Sequence, residues 1–308
     1  MAPDASSTAT STTTQADARP QTIILWSHPR SCSTMFECML LTRPDEFHVL
    51  HEPMGESWYY SKERVHKRFD EETCRSSGHW EYTYDKAWKD VSTPHPSKRV
   101  FSKDMASYIT DLARTPGCVA PSYQGAPTSP TNPTLIPTRE LLQPHIRHTF
   151  LIRHPQRAVP SYARLCYPGA KTGFEYFDPS EMGYRESRLL FDFIRAETGQ
   201  APLIVEAETL LEDPKRVVKE YCEAVGIDFR EEMLEWSSET REHFAKWKGW
   251  HEDAEKSTGV GRRSPPQESS GDKTPPKAKE DKPLPDDLQK VVDDNLEDYE
   301  YLRSFAQK

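Results

Sequence analysis

Pro29-Arg30-Ser31-Cys32-Ser33-Thr34 places a guanidinium and three hydroxyls directly after the apolar run Ile23-Ile24-Leu25-Trp26. A strand that breaks into such a loop and then enters a helix offers an anion unpaired backbone N–H groups and the positive end of a helix dipole. Arg30 adds a charge-assisted contact, and Ser31, Ser33 and Thr34 add hydroxyl donors. A second apolar run, Thr149-Phe150-Leu151-Ile152, ends in Arg153-His154-Pro155, with Ser161 eight residues after the arginine. Two such places suggest a nucleotide carrying anionic groups at two ends. Taken alone, the first loop also fits an ordinary strand-to-helix connection whose Ser and Thr merely cap the helix. It is not a Walker A loop, since G-x-x-x-x-G-K-[ST] is absent and the loop holds no glycine. That argues against an ordinary ATPase or GTPase.

The elements that must position these residues follow from pattern. Residues 22–27 form a short isoleucine-rich run, consistent with a buried parallel strand. Met35, Phe36, Met39 and Leu40 then recur at helical spacing until Arg43-Pro44, and Thr34 with Glu37 three residues on fits a capping box. Further strands are expected at Val49-Leu50, at Arg99-Val100-Phe101-Ser102, at Thr149–Ile152 and at Pro202–Val205. Helices are expected at 139–143, 156–166, 183–198, 213–225 and 230–236. Such alternation predicts an α/β fold, a parallel sheet flanked by helices. Leu288, Val291, Val292, Leu296, Tyr299 and Leu302 recur at threes and fours, which predicts an amphipathic closing helix over 286–305 that docks back on the core.

The chain has 308 residues, of which 35% are hydrophobic, with a mean hydropathy of -0.82, so part of it is expected to lie outside any core. Residues 1–20 are almost all Ala, Ser, Thr, Asp and Gln with no apolar run, and read as a disordered tail rather than a signal peptide. Residues 261–285, rich in Pro, Ser, Lys and Asp, read as a disordered loop, and 115–134 as a long surface loop. The domain is therefore expected to span 21–308. No stretch approaches the roughly 20 apolar residues of a membrane span. The net charge of -9 argues against nucleic acid as a general partner, although a local basic pocket remains compatible with it. Six scattered cysteines with no C-x-x-C pair suggest reduced thiols in the cytoplasm and no structural zinc. His148 and His154 flank a strand without a second ligand at metal spacing.

These motifs resemble the sulfotransferase family, whose members have a P-loop-like fold and take a sulfuryl group from 3′-phosphoadenosine 5′-phosphosulfate. The resemblance covers roughly residues 22–260 and the closing helix. The family's first loop reads Pro-Lys/Arg-Ser-Gly-Ser/Thr-Thr, so Arg30, Ser31, Ser33 and Thr34 match and Cys32 stands where glycine is usual. Arg153 and Ser161 match its 3′-phosphate motif in type and spacing. Leu211-Glu212-Asp213-Pro214, then an apolar helix and Gly226, match the region after its penultimate strand. The wording Ser-His-Pro-Arg-Ser and Ile-Arg-His-Pro is most similar to the sulfotransferase-like proteins of fungi.

The resemblance implies sulfuryl transfer to a hydroxyl of a small-molecule acceptor, phenols included, with no metal. Such chemistry asks for charge stabilisation at the leaving phosphate, which suits Arg30 and the loop amides, and for a base at the acceptor hydroxyl. Cytosolic members carry that base as the histidine of Lys-x-His. Here the corresponding stretch is Lys103-Asp104-Met105, with methionine in the histidine's place. Glu52, after the second strand as in some carbohydrate, bacterial and tyrosyl-protein sulfotransferases, is one replacement, and Asp104 another if its side chain turns to the cleft. Trp58-Tyr59-Tyr60 could line an acceptor pocket or simply pack. Trp247 to Gly259 lie where the family closes a loop over the nucleotide; its Arg-Lys-Gly is not recognisable, and Arg263 is the expected second 3′-phosphate contact. Ala207 stands where an adenine-stacking tyrosine is usual. Two alternatives stay open: a kinase-like P-loop enzyme using ATP, and a nucleotide-binding protein that transfers nothing.

Overall fold

In the computed structural model the described residues are 21–236, 243–244, 246–247, 249–251, 257–260 and 283–307. The expected tail 1–20, nearly all of the expected loop 261–285, and Arg263 lie outside them. Five parallel strands, β1 (Thr22–Ser27), β2 (Phe47–His51), β3 (Arg99–Met105), β4 (Ile146–Ile152) and β5 (Leu203–Glu206), form one sheet in the order β2-β3-β1-β4-β5. The expected α/β fold with a helix-flanked parallel sheet is therefore observed.

Every residue of β1 is buried, as befits a central strand covered on both faces. Its alternation sends Ile24 and Trp26 to one core, with Phe150, Ile152 and Phe191, and Ile23 and Leu25 to the other, with Phe36, Met39 and Tyr221. The helices are α1 (Ser33–Leu41), α2 (Pro53–Tyr59), α3 (Glu71–Ser76), α4 (Tyr84–Ser92), α5 (Thr138–Leu141), α6 (Pro155–Ala163), α7 (Tyr184–Thr198), α8 (Ala207–Glu212), α9 (Pro214–Val225) and α10 (Asp286–Arg303). Helix α10 packs on α6 and α7, burying Val291, Val292, Tyr299 and Leu302 and tying Arg188 to Asp298 at 2.9 Å. Because β1 lies between β3 and β4, the loops leaving the three strands emerge side by side at their carboxyl ends. In an open parallel sheet that edge is where ligands bind.

Three expectations are corrected here. No capping box forms at Thr34 and Glu37: the helix begins at Ser33 after Cys32, and Glu37 is fully buried against His51 and His243. The helix expected at 230–236 is only a 3-10 turn, Glu231–Leu234. The stretch 115–134 is irregular but not purely surface, since Ala120, Asn132 and Thr134 are buried and the Asn132 amide holds the Ile136 carbonyl at 2.8 Å.

Candidate active site

The loop after β1 is shaped by two non-glycine residues in the left-handed region, Arg30 (φ 64°) and Cys32 (φ 71°). Such a backbone costs an L-residue about 1–2 kcal/mol, and explains why glycine is usual at the Cys32 position. Among the described residues no side chain caps α1, which leaves the N–H groups of its first turn with donor capacity for another partner. Ser33 and Thr34 line a cavity of about 500 Å³ with Arg30 and Cys32, whereas Ser31 is fully buried beneath the loop and its Oγ finds no partner among the described residues.

The loop after β4 enters the same cavity. Arg153 Nη1 donates to the Arg30 carbonyl at 2.9 Å, and its backbone N–H donates to His28 Nε2 at 3.0 Å. Burial holds the His28 imidazole down at about 3, so it stays a neutral acceptor. Ser161, nearly two turns into α6, does not meet Arg153: it accepts from Arg30 Nε at 3.0 Å, while Arg30 Nη1 donates to the Trp250 carbonyl at 2.8 Å. The two places expected to bind anions are thus joined through Arg30.

Glu52 also lies on the wall of this cavity. Adjacent strand residues normally point to opposite faces, but a left-handed backbone at Glu52 (φ 50°) follows His51 at the end of β2. The Glu52 carboxylate pairs with Lys103 Nζ and accepts from the Tyr108 hydroxyl at 3.3 Å. Burial pushes its pKa up, yet the Lys103 ammonium outweighs that and holds it at about 2. Lys103 itself is fully buried and reaches the cavity only through Glu52. Asp104 does not turn to the cleft. It is buried under α2, accepts from the N–H groups of Met54 and Met105 at 3.0 Å each, and burial raises it to about 8. Met105 does line the cavity.

Several groups here carry no signal at sequence level. Glu181 lies on the wall with both oxygens held by Arg68 at 2.7 Å and accepts from the hydroxyls of Tyr59 and Tyr162. Arg164, Tyr108 and Phe174 complete the wall with Tyr59, Trp247, Trp250, His251 and Ser257, whereas Trp58 packs in the core. A further cluster joins Glu37, His51, Glu52, His243 and His251, whose donor atoms lie, in two groups of three, within 4.8 Å of one another. That spacing would suit a cation. Both nitrogens of His51 and of His251 are, however, already hydrogen-bonded, and Lys103 sits against the two carboxylates. The cluster is a hydrogen-bond network.

Against known proteins, residues 20–231 match the model described as the sulfotransferase family. The chain belongs to that family. It is 26% identical over 244 residues to branched-chain-amino-acid aminotransferase-like protein 2 of Arabidopsis thaliana, covering 78% of this chain and 36% of that protein. Protein 1 of the same name is 24% identical over 243 residues, 79% of this chain and 37% of its own. The chain thus spans little more than a third of the curated relatives it matches. Among solved structures it is similar to a sulfotransferase from Alicyclobacillus acidocaldarius, with TM-score 0.41 and 16% identity over 73% of this chain and 90% of that one. It is also similar to the sulfotransferase domain from the curacin biosynthetic pathway, with TM-score 0.39 and 16% identity over 70% and 77%. No helix among the described residues is long and apolar enough to cross a membrane.

Proposed function

We propose that this family member moves a sulfuryl group from 3′-phosphoadenosine 5′-phosphosulfate to a hydroxyl of a small molecule held in the cavity. The observation that carries the reading is the sharing of one cavity by the β1–α1 loop, Arg30, Arg153, Ser161 and the Glu52 carboxylate. The loop amides with Ser33 and Thr34 would hold the 5′-phosphosulfate and Arg30 the charge that develops on the leaving phosphate. Arg153 and Ser161 would hold the 3′-phosphate, with Arg263 as a further contact and Ser31 supporting the loop from beneath.

Glu52 is assigned as the base. A carboxylate held at about 2 is weakly basic, but a loose transfer transition state leaves the acceptor hydroxyl protonated until the new bond is well advanced. Its task is then to orient that hydroxyl and take the proton late, and Lys103 keeps it ionised for this. Asp104, turned away under α2, is left a structural role. The aromatic wall of Tyr59, Tyr108, Phe174, Trp247 and Trp250 suits a flat apolar acceptor such as a phenol. Six free cysteines suit a reducing cytoplasm, and the Ser-His-Pro-Arg-Ser and Ile-Arg-His-Pro wording supports a place near the fungal members.

The test begins with thermal unfolding in 3′,5′-adenosine bisphosphate against ATP plus magnesium. Binding to the folded state must raise the melting temperature by mass action. Stabilisation by the bisphosphate that Arg153→Ala removes supports the reading, and transfer of labelled sulfate from the donor to a panel of phenols completes it. Stabilisation by ATP alone would replace it with a kinase-like enzyme. Tight bisphosphate binding with no transfer to any acceptor would leave a nucleotide-binding protein.

A further inference from the structure

The anion loop is connected to a buried carboxylate through two histidines. Glu37 Oε2 accepts from His51 Nδ1 at 2.8 Å, His51 Nε2 faces His251 Nε2 at 3.1 Å, and His251 Nδ1 meets Thr34 Oγ1 at 2.9 Å. Glu37 is fully buried, and both histidines are nearly so. Only the last two members, His251 and Thr34, touch the cavity. A run of four groups from the core to a helix N-terminus has one consistent arrangement with both histidines neutral and, with one more proton, makes Thr34 an acceptor whichever ring holds the charge, because an ionised carboxylate can only accept.

With both histidines neutral, His51 carries its proton on Nδ1 for Glu37 and shows a lone pair at Nε2. His251 must then donate from Nε2, so its Nδ1 is bare and accepts the Thr34 O–H. The Thr34 oxygen presents only lone pairs to the cavity. With one more proton, His51 donates from both nitrogens, His251 accepts at Nε2 and donates from Nδ1, and Thr34 Oγ1 becomes an acceptor within the chain. Its own O–H is then free to donate into the cavity. An anion at the loop favours the second arrangement and is repelled by the first.

We infer that His51 and His251 are positioning residues for the anion loop, and that a phosphorylated nucleotide binding there takes up one proton at the histidine pair. The inference rests on the reading that the loop binds such a nucleotide. The charges facing His51 come from every neighbouring element: Glu37 on α1, Glu52 before α2, Lys103 on β3, and His243, Lys246 and His251 from the later segment. With the histidines neutral, the carboxylates of Glu37 and Glu52 stand against the single ammonium of Lys103, while Lys246 is engaged by Glu56 at 2.5 Å. One proton balances the group. Burial holds His251 well below its ordinary pKa, and His51 is the ring that faces the Glu37 carboxylate at 2.8 Å.

The experiment is calorimetric titration of the full chain with 3′,5′-adenosine bisphosphate, near neutral pH, in buffers of differing ionisation enthalpy. The dependence of heat on buffer counts protons taken up, and the wild type is compared with variants so that ionisation of the ligand's own phosphates cancels. His251→Gln and Thr34→Val are expected to take up close to one proton fewer than the wild type, with affinity lowered about ten-fold or more by the lost donor. His243→Gln is expected to leave the uptake unchanged. Thr34→Val leaves the histidines in place, so it separates the relay from damage to the fold. Equal uptake in wild type, His251→Gln and Thr34→Val would overturn the relay while leaving nucleotide binding intact. Uptake lost only in His243→Gln would overturn it as well. Absence of bisphosphate binding in the wild type would remove the nucleotide reading and the relay together.

Discussion

Replacing Glu52 by glutamine tests two properties that the structure ties to one carboxylate. Lys103 is fully buried, and once Glu52 loses its charge the nearest carboxylate is Glu37 at 3.9 Å. Removing one partner of a buried ion pair costs about 3–5 kcal/mol, because the survivor is left uncompensated. The retained amide oxygen and the presence of Glu37 place Glu52→Gln near the lower end, about 3 kcal/mol. Lys103→Met should cost a similar amount, stranding Glu52 with only the Tyr108 hydroxyl at 3.3 Å. The double variant removes both charges and should be far less destabilised than the sum, with a coupling of about 2 kcal/mol or more. Activity should behave differently. Glu52→Gln is expected to lower transfer by about 10²–10⁴-fold, and Lys103→Met in the same chain should not restore it. Urea unfolding followed by tryptophan fluorescence gives the first cycle, and turnover with labelled donor gives the second. Additivity of the two stabilities within about 0.5 kcal/mol would show that the pair is not coupled. Full activity in Glu52→Gln would refute its assignment as the base.

Cys32→Gly should raise stability by up to about 1 kcal/mol, since it relieves a left-handed residue at φ 71° and loses little packing; unfolding in urea measures it, and a loss of stability would mean that the thiol packs better than the backbone suffers. Burial, helped by the nearby Asp298 charge, raises Glu186 to about 7. A raised carboxyl binds its proton more tightly when folded, so stability is lost as pH climbs from about 4.5 through 7, by about 3 kcal/mol in full. Glu186→Gln should therefore be neutral near pH 4 and stabilising above pH 7, and a gain independent of pH in thermal unfolding would contradict this. Arg30 is bonded to Ser161 and to the Trp250 carbonyl, whereas Arg153 braces the Arg30 carbonyl. Arg30→Ala should consequently lower the transfer rate and bisphosphate affinity together, and Arg153→Ala chiefly affinity, as titration and steady-state rates would show.

How far the sequence revealed this follows from which contacts are local. The anion loop was legible because strand, loop and helix are contiguous, and β1 and β4 appeared as unbroken apolar runs. The apolar pattern of β3 stops at Ser102, but the strand continues through Lys103 and Asp104 to Met105. Two charged residues interrupted the apolar pattern, and they are tolerated inside only because Glu52 and two backbone N–H groups satisfy them. Helices α2 to α4 were missed although Tyr84, Trp88 and Val91 have helical spacing, because the turns around them are short and polar. The histidine chain was illegible for a plainer reason. Its bonds join residues 14, 200 and 217 positions apart, and no local pattern encodes such a meeting.

The charges on the cavity wall then constrain what can enter. A chain of net charge -9 repels anions at long range, so recognition of a nucleotide must be made locally. The buried carboxylates on the wall are each tied to a cation outside it, Glu52 to Lys103 and Glu181 to Arg68. Their charge is spent there and does not cancel Arg30, Arg153 and Arg164, which face the same space. Glu208, 3.6 Å from Arg153, offsets that arginine until a stronger anion arrives. The pairing also separates the two tasks of the site. In the proposed reaction the arginine end would hold phosphate, and the Glu52 end would present an ionised but internally balanced carboxylate to a neutral hydroxyl. An acceptor bearing its own negative charge near the hydroxyl would lose its hydration on a side where Lys103 and Arg68 are already paired with Glu52 and Glu181, and should be turned over more slowly than its uncharged analogue.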